Sequence, residues 1–398
     1  MTKEELQNKA VSLIQDNNRV ALQWGTGIGK SKVAIDAIKL IKPLKVLLIV
    51  AETAHKNNWI EEFNKWDLNY DNIIIECYAS LKKYRNTKWD LIIFDEAHHL
   101  GSDLRVDILN TIKSEKILLL SATLPDQIMK MLSDIFGEFK SSKVTIKQAI
   151  DWGILPKPKV ILIPLNLSCV GNTEFIIEEW GLKHKRVVLT CDYHDRWKYI
   201  NHKDKYPNVT LKIRCTQQQK YNYYTDQFDY WKRQFMIRRQ EFLKNKWLQS
   251  GSKRKVFLGE SKTKYAIKLL EKVWNKRFIC FCASIEQAEA LGRENAIHSK
   301  KSNSLEIIDR FNRKEINHLF AVGMLQEGQN LNDIEVGVII QLDGQERSFI
   351  QKFGRSMRAE DPIQFIFYYK NTRDEEYLKN VIEGIPEEYI TNIDNFNI

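Results

Sequence analysis

The sequence predicts an α/β protein in which two parallel-sheet domains are separated by a mainly helical, basic and aromatic insert. Two observations carry this prediction. Short, continuous apolar runs alternate with helical patterns from residue 19 to about residue 165, and again from about residue 256, as in parallel sheets covered on both faces. Between these blocks, residues 183–264 hold 21 Lys or Arg against 7 Asp or Glu. We expect domains over residues 1–165 and 256–398 and an insert over residues 166–255.

The individual elements follow from the same patterns. Strands of the first block are predicted at 20–23, 46–50, 73–75, 91–94 and 117–120. Strands of the second block are predicted at 278–282, 319–322, 336–340 and 363–367. A helix is expected at 31–40, and residues 217–249, which lack Gly and Pro, predict one or two helices.

Composition narrows the class of protein. The 398 residues are 43% hydrophobic and 28% charged, which is ordinary for a globular chain, and the net charge of +10 favours a polyanionic partner. No apolar run approaches the roughly 18 residues that span a bilayer, so no membrane partner is expected. The N-terminal residues carry acids and lack the apolar stretch of a signal peptide, which predicts a cytoplasmic location.

The six cysteines form no Cys-x-x-Cys pair. Cys280 and Cys282 fall in an apolar strand and are interpreted as small buried hydrophobes. A metal cluster could be drawn from four other residues, but their spacing fits no tight zinc pattern. They are Cys191, His194, His202 and Cys215.

The segment between the first predicted strand and helix is a glycine loop built to hold a polyphosphate. Its members are Gly25, Thr26, Gly27, Ile28, Gly29, Lys30 and Ser31. In such a loop the backbone N–H groups face the phosphates, the lysine reaches the β and γ oxygens, and the serine hydroxyl binds Mg²⁺. Trp24 stands where a strict pattern has a small residue, and we interpret it as packing beneath the loop.

A second signal lies further along the chain, where an apolar strand ends in Asp95 and Glu96. Carboxylates at this point supply a second Mg²⁺ contact and orient a water molecule. The loop and the carboxylate pair, in this order, predict a nucleoside triphosphatase that uses ATP and Mg²⁺.

Six motifs in order then resemble those of superfamily 2 helicases of the DEAD/DEAH type. Gly25–Ser31 resembles motif I, residues 51–59 motif Ia, residues 95–98 (Asp-Glu-Ala-His) motif II, residues 121–123 motif III, residues 324–331 motif V, and residues 351–358 motif VI. The extra His99 and residues 149–156 look most like the branch with restriction-enzyme motor subunits and phage or repair helicases. The resemblance implies two RecA-like domains with one ATP site between them.

The resemblance also implies a role for each matching residue. Lys30 would neutralise phosphate charge, Ser31 and Asp95 would hold Mg²⁺, and Glu96 would activate the attacking water. Gln351 would sense the γ-phosphate, and Arg355 and Arg358 would reach it when the domains close, which makes hydrolysis depend on closure. Further expected roles are adenine contact for Gln7 and coupling for His98, Ser121 and Thr123. Nucleic-acid contacts are placed by position at Thr53, Lys56, Asn57, Ser284 and Gly328.

Several functions remain open at this stage. The leading hypothesis is an ATP-dependent helicase or translocase on DNA, acting with protein partners in replication, repair or recombination. The alternatives are an RNA helicase, a motor subunit that remodels a protein–nucleic-acid complex, and a non-hydrolysing binding module. The insert is expected to clamp or split nucleic acid, unless its aromatics form only its own core. Richness in Lys, Asn and Ile suits a bacterial or phage genome, and two domains in one chain predict a monomer.

Overall fold

The computed structural model describes residues 1–25, 27–101, 103–171, 173–323, 331, 333–342, 361–382 and 385–393. It confirms the predicted fold class: two parallel sheets with covering helices stand in tandem, and each of the nine predicted strands is present. Over the residues described, no helix is long and apolar enough to cross a bilayer.

The first sheet has six parallel strands in the order β3-β2-β4-β5-β1-β6. These strands are β1 Arg19–Trp24, β2 Val46–Val50, β3 Ile73–Cys77, β4 Lys88–Asp95, β5 Lys113–Ser121 and β6 Lys140–Val144. The accompanying helices are α1 Lys3–Asp16, α2 Lys30–Ile41, α3 Thr53–Lys65, α4 Asp103–Leu109, α5 Asp126–Phe136 and α6 Ile146–Asp151. Successive residues of β4 enter opposite cores, Leu91 and Ile93 on one face and Ile92 and Phe94 on the other, which explains its continuous apolar run.

The second sheet has seven parallel strands in the order β12-β13-β11-β14-β15-β7-β16. Its strands are β7 Lys159–Leu165, β11 Phe278–Phe281, β12 Ala296–His298, β13 His318–Val322, β14 Val336–Ile339, β15 Ile363–Tyr369 and β16 Ile390–Asn392. Its helices are α10 Thr263–Lys272, α11 Ile285–Gly292, α12 Ser304–Asn312 and α13 Arg373–Ile382. Three of these strands, β7, β12 and β16, were not among the predictions for this block.

Strand β7 belongs to the second sheet, not to the first domain as predicted. It lies inside the segment 1–165 that was predicted as the first domain, yet it pairs with β15 from Lys159 opposite Ile363 to Leu165 opposite Tyr369. An apolar run fits either parallel sheet equally well, and only pairing with residues some 200 positions away decides between them. We therefore propose a domain boundary between α6 and β7 instead of at residue 165.

The insert contains a small sheet that the sequence did not predict. Strand β10 Val209–Cys215 lies between β8 Thr173–Trp180, which is antiparallel to it, and β9 Val187–Asp192, which is parallel. A short helix α7 Trp197–Ile200 precedes β10, and two long helices follow it, α8 Gln217–Arg238 and α9 Glu241–Ser261. Leu211 pairs with Glu178 and Lys212 with Ile176, so β8 has a bulge at Ile177, which breaks the alternation of that strand.

Two cysteines of the insert pack as apolar residues in its small core. Cys191 and Cys215 are buried there beside Leu211 and Ile213. Burial raises the pKa of the Cys191 thiol, and it raises that of the Cys215 thiol to about 11. A raised pKa disfavours the thiolate that a zinc ion requires, and no group of three or more metal-binding side chains occurs among the residues described.

Candidate active site

The glycine loop joins β1 to the N-terminus of α2. Gly27 and Gly29 have φ angles of +87° and +106°, in the left-handed region that favours glycine. At Gly29 a Cβ would lie 2.2 Å from Nε2 of Gln7, a flexible side chain that can shift, so it is the backbone conformation that favours glycine there. The first amides of α2 have no acceptor within the helix, and with the helix dipole they attract an anion. The loop therefore has the geometry of a phosphate-binding site.

Lys30 is the first residue of α2, and its ammonium group donates to the Trp24 carbonyl oxygen at 2.9 Å. The indole of Trp24 is fully buried and donates to Oγ of Ser142 at 3.0 Å. The interpretation that Trp24 packs beneath the loop is confirmed. Lys30 is thus held at the loop by a neutral acceptor, which a phosphate oxygen could replace with a stronger, charge-assisted bond.

Two segments outside the motif brace the loop. From α1, Nε2 of Gln7 donates to the Ile28 carbonyl at 3.2 Å, and the ammonium of Lys3 donates to the Gly27 carbonyl at 3.1 Å. From the chain after α6, Leu155 packs so closely that a Cβ on Gly27 would lie 3.3 Å from its Cδ2. The structure therefore places Gln7 at the loop, and its contact with adenine stays a prediction.

Asp95 and Glu96 lie at the carboxyl end of β4. The carboxylate of Asp95 accepts the indole N–H of Trp59 at 2.8 Å on Oδ2 and the backbone N–H of Glu96 at 3.0 Å on Oδ1. Glu96 has a φ of +50°, which is unusual for a residue with a side chain and turns the chain sharply after the strand. Trp59 was not predicted as a site residue, although it lies in the segment that resembles motif Ia.

Asp95 is buried beside a second carboxylate, and both conditions raise its pKa. Burial and then the neighbouring Glu96 carboxylate raise this pKa, while the Trp59 hydrogen bond and the Lys30 charge act in the opposite direction. A divalent cation would relieve that repulsion. Ser31, in the first turn of α2, and Asp95 offer the hard oxygen donors that suit Mg²⁺, so the residues present fit this ion.

His98 and Ser121 connect the ends of two neighbouring strands, β4 and β5. Both side chains are buried, and Nδ1 of His98 lies 3.1 Å from Oγ of Ser121 and 3.4 Å from a carboxylate oxygen of Glu96. The Ser121 hydroxyl donates to the Thr123 carbonyl at 2.6 Å. Because that bond uses the hydroxyl proton, Nδ1 of His98 must be the donor to Ser121. Hydrogen bonds therefore join His98, Ser121 and Thr123 into one polar chain, and the Glu96 carboxylate lies beside the His98 end of it.

The predicted strand contacts of the first domain lie at the start of α3. Thr53 and Asn57 are exposed. Lys56 forms an ion pair with Glu76, whose carboxylate also lies 3.2 Å from the ammonium of Lys83. The pairing raises the pKa of Lys56, and it lowers that of Glu76 to about 2. A phosphate would have to compete with Glu76 for Lys56.

Of the nucleic-acid contacts predicted in the second domain, the structure describes one. Ser284 is buried, where it caps α11 by accepting from the Gln287 amide at 3.1 Å and donates to Glu260 at 2.9 Å. Its hydroxyl is therefore already used within the fold. Five other predicted site residues lie outside the described residues: Thr26, Gly328, Gln351, Arg355 and Arg358.

Sequence reasoning missed a buried ionic network in the second domain. The ammonium of Lys262 lies 2.6 Å from a carboxylate oxygen of Asp374, and both side chains are fully buried. Lys262 also donates to the Ile340 carbonyl at 2.9 Å and to the side chain of Gln341 at 2.8 Å, and Gln341 donates in turn to Asp374 at 2.6 Å. Nothing in the local sequence pattern links residues 262 and 374.

Two family models match the chain. The model of the type III restriction enzyme res subunit matches residues 1–87 and 71–126, and the model of the helicase conserved C-terminal domain matches residues 261–360. The chain belongs to the superfamily 2 helicases. It is accordingly an ATP-hydrolysing enzyme of the nucleic-acid-dependent helicase class. A search of curated proteins finds no match for this helicase.

Solved structures share the fold of the helicase. A variant of Dbp5 from S. cerevisiae, bound to RNA and ADP BeF3, is 12% identical, with 98% of this chain and 89% of that chain covered and a TM-score of 0.57. The ATP-dependent type ISP restriction-modification enzyme LlaBIII, bound to DNA, is 11% identical, with a TM-score of 0.55. All of this chain is covered in that second match, but only 31% of the LlaBIII chain. At such identities the likeness establishes the fold.

Proposed function

We propose that this helicase uses ATP hydrolysis between its two sheet domains to move along, and to open, DNA. The observation that carries the proposal is the polar chain at the ends of β4 and β5. It begins beside Glu96, which follows the proposed Mg²⁺ ligand Asp95, and continues through His98 to Ser121 and Thr123. A change at the γ-phosphate can therefore reach a second strand end through the contact of Glu96 with His98 and the hydrogen bonds that follow it.

The roles that we propose use the geometry of the first domain. Lys30 exchanges the Trp24 carbonyl for phosphate oxygens, and the loop amides hold the same phosphates. Glu96 orients the attacking water and accepts its proton. Ser31 and Asp95 would hold a Mg²⁺ ion, which would neutralise phosphate charge.

The other half of the site rests on the sequence. Arg355 and Arg358, within the matched helicase C-terminal region, supply the cationic contacts that stabilise the transition state, and Gln351 senses the γ-phosphate. Because these residues come from the second domain, hydrolysis requires the two domains to close, and repeated closure moves the strand.

DNA is the favoured substrate for two reasons. The first domain matches the model of a restriction-enzyme subunit, and LlaBIII, which has the same fold, is bound to DNA. The alternative is RNA, since Dbp5 is bound to RNA. A motor that works inside a larger assembly is a further alternative, because the chain corresponds to less than a third of LlaBIII.

The test is ATP hydrolysis by the purified chain, alone and with single-stranded DNA, duplex DNA, forked DNA or RNA. We expect stimulation by DNA that Lys30→Ala abolishes. Lys32→Ala is the matched control, because Lys32 lies on the same helix but pairs with Asp36. Stimulation by RNA alone would identify RNA, instead of DNA, as the substrate. Hydrolysis at the same rate with and without every nucleic acid would contradict the proposal.

A further inference from the structure

The insert ends in a long helical hairpin that is anchored on the second domain. Helices α8 and α9 are joined by Arg239 and Gln240. At its base, Tyr221 accepts the backbone N–H of Arg373 at 2.9 Å, and Phe257 and Leu258 are buried in the core that contains β7 and β15. The base of the hairpin therefore moves with the second sheet.

The middle of the hairpin is packed with aromatic side chains. Trp247 of α9 packs against Phe228 and Phe235 of α8. Its ring centroid lies 5.9 Å from that of Phe228 and 5.8 Å from that of Phe235. The guanidinium of Arg254 is buried 4.4 Å from the Phe228 ring, and Gly251 lets that ring approach closely. These aromatics are the internal core of the hairpin, which was one of the two interpretations of the insert. They stiffen the hairpin, and part of the surface of each ring is already used in contacts within it.

Beyond this packed region the hairpin projects outward. From Tyr224, which packs against the core of the second domain, to Ile237 there are 13 residues, or roughly 20 Å of helix. Residues 236–242 at the tip are all exposed. They include three large apolar side chains, Met236, Ile237 and Phe242, with exposed fractions of 49%, 71% and 58%.

The tip is strongly basic as well as apolar. Residues 231–247 contain six Lys or Arg and a single acid, Glu241, which lies 3.6 Å from Lys244. Exposed apolar groups inside such a dense positive field suit a partner with negative charges on its outside and flat apolar faces between them. A nucleic acid with unpaired bases has this chemistry.

Arg239 ends α8 in the left-handed region, as Lys42 ends α2. Its φ is +51°, and its N–H caps α8 by donating to the Phe235 carbonyl at 2.8 Å. Glycine is the residue that this helix-ending position favours, because a Cβ is strained there. The chain carries an arginine at that strained position, at the most projecting point of the hairpin.

We propose that the tip of the α8–α9 hairpin binds nucleic acid where a duplex opens. Its basic residues, with Arg238 and Arg239 at the apex, contact phosphates, and Ile237 and Phe242 contact the faces of the exposed bases. The inference rests on the proposed function for its nucleic-acid substrate. It adds the point of contact with the nucleic acid. Because the tip moves with the second domain, each closure of the domains moves the tip at the fork.

The first test measures the salt dependence of binding to a forked DNA by fluorescence anisotropy. In Arg238→Ala/Arg239→Gly, the loss of two phosphate contacts lowers the slope of log K against log salt by about 1.4–1.8. Glycine relieves the backbone strain, so the melting temperature does not fall. Lys130→Ala/Lys140→Ala removes two exposed charges from the first domain and keeps the full slope. An unchanged slope in the tip variant overturns the proposal.

The second test removes the apolar groups. Ile237→Ala/Phe242→Ala lowers the preference for forked over blunt duplex by about fivefold or more, because stacking on a base is lost. Leu305→Ala, which is equally exposed on α12, is the control. An unchanged fork preference overturns the proposal.

These results separate the inference from the proposed function. A wild-type chain that no nucleic acid stimulates contradicts the proposed function, whatever the tip variants do. A stimulated wild type with unaffected tip variants contradicts only the role of the tip. A third outcome is that the wild type binds phosphatidylserine vesicles, that both tip variants lose this binding, and that binding to the fork persists. This result assigns the tip to a membrane and also overturns the proposed role of the tip.

Discussion

Replacing Trp59 by phenylalanine removes the only indole hydrogen bond to Asp95 that the described residues show. Trp59 lies on α3 and is buried, and its N–H reaches Oδ2 of Asp95 at 2.8 Å. Phenylalanine keeps an aromatic ring against Phe63, whose centroid lies 5.6 Å away. The substitution therefore tests one hydrogen bond with limited loss of packing.

The magnitude follows from the type of bond. A hydrogen bond to a charged group contributes about 1.5–3 kcal/mol. If that energy is spent on orienting Asp95 towards Mg²⁺, kcat falls by about ten- to a hundredfold. ADP binding in the absence of Mg²⁺ is unchanged, because the glycine loop and Lys30 hold the phosphates. The bond also lowers the pKa of Asp95, so its loss raises this pKa and moves the acid limb of the pH–rate profile to higher pH.

The assay is steady-state ATP hydrolysis over a range of Mg²⁺ concentration and pH, with saturating nucleic acid. Trp66→Phe is a matched control, because the Trp66 indole, near the end of the same helix, donates to Glu62 at 3.0 Å and not to the site. The reasoning is refuted if Trp59→Phe behaves like Trp66→Phe while Asp95→Ala is inactive.

Three further predictions concern other parts of the molecule. Asp374→Asn leaves Lys262 buried without its counter-charge and lowers the free energy of unfolding by about 3–5 kcal/mol, measured by urea denaturation. The double variant Lys262→Met/Asp374→Leu removes both charges and recovers most of that loss. Ser121→Ala removes the acceptor of His98, so stimulation of hydrolysis by nucleic acid falls about two- to tenfold while unstimulated hydrolysis is retained. Burial lowers the pKa of Lys220 to about 8, so this lysine titrates near pH 8 in the NMR spectrum of the ¹³C-methylated protein. From pH 8 to 10.5 the unfolded chain holds a proton there that the folded chain has lost, and stability rises with pH; a titration near pH 10.5 would contradict this.

The local part of the fold was predictable because it depends on short-range patterns. The runs that became β2 and β4 are apolar at nearly every position, which is typical of strands buried on both faces. The glycines at 27 and 29, followed by Lys30, predicted a strand–loop–helix unit because few other residues tolerate that backbone. The order of the motifs along the chain was enough to predict the superfamily and its two sheets.

Only the tertiary structure decided which distant residues meet. β7 could have joined either sheet, and its pairing with β15 depends on residues far along the chain. The same holds for the indole of Trp59 at Asp95 and for Lys262 buried against Asp374, which are 36 and 112 positions apart. Periodicity reports which side of an element is buried, but not what covers it. Contacts between elements depend on sheet order and packing, and those are properties of the whole folded chain.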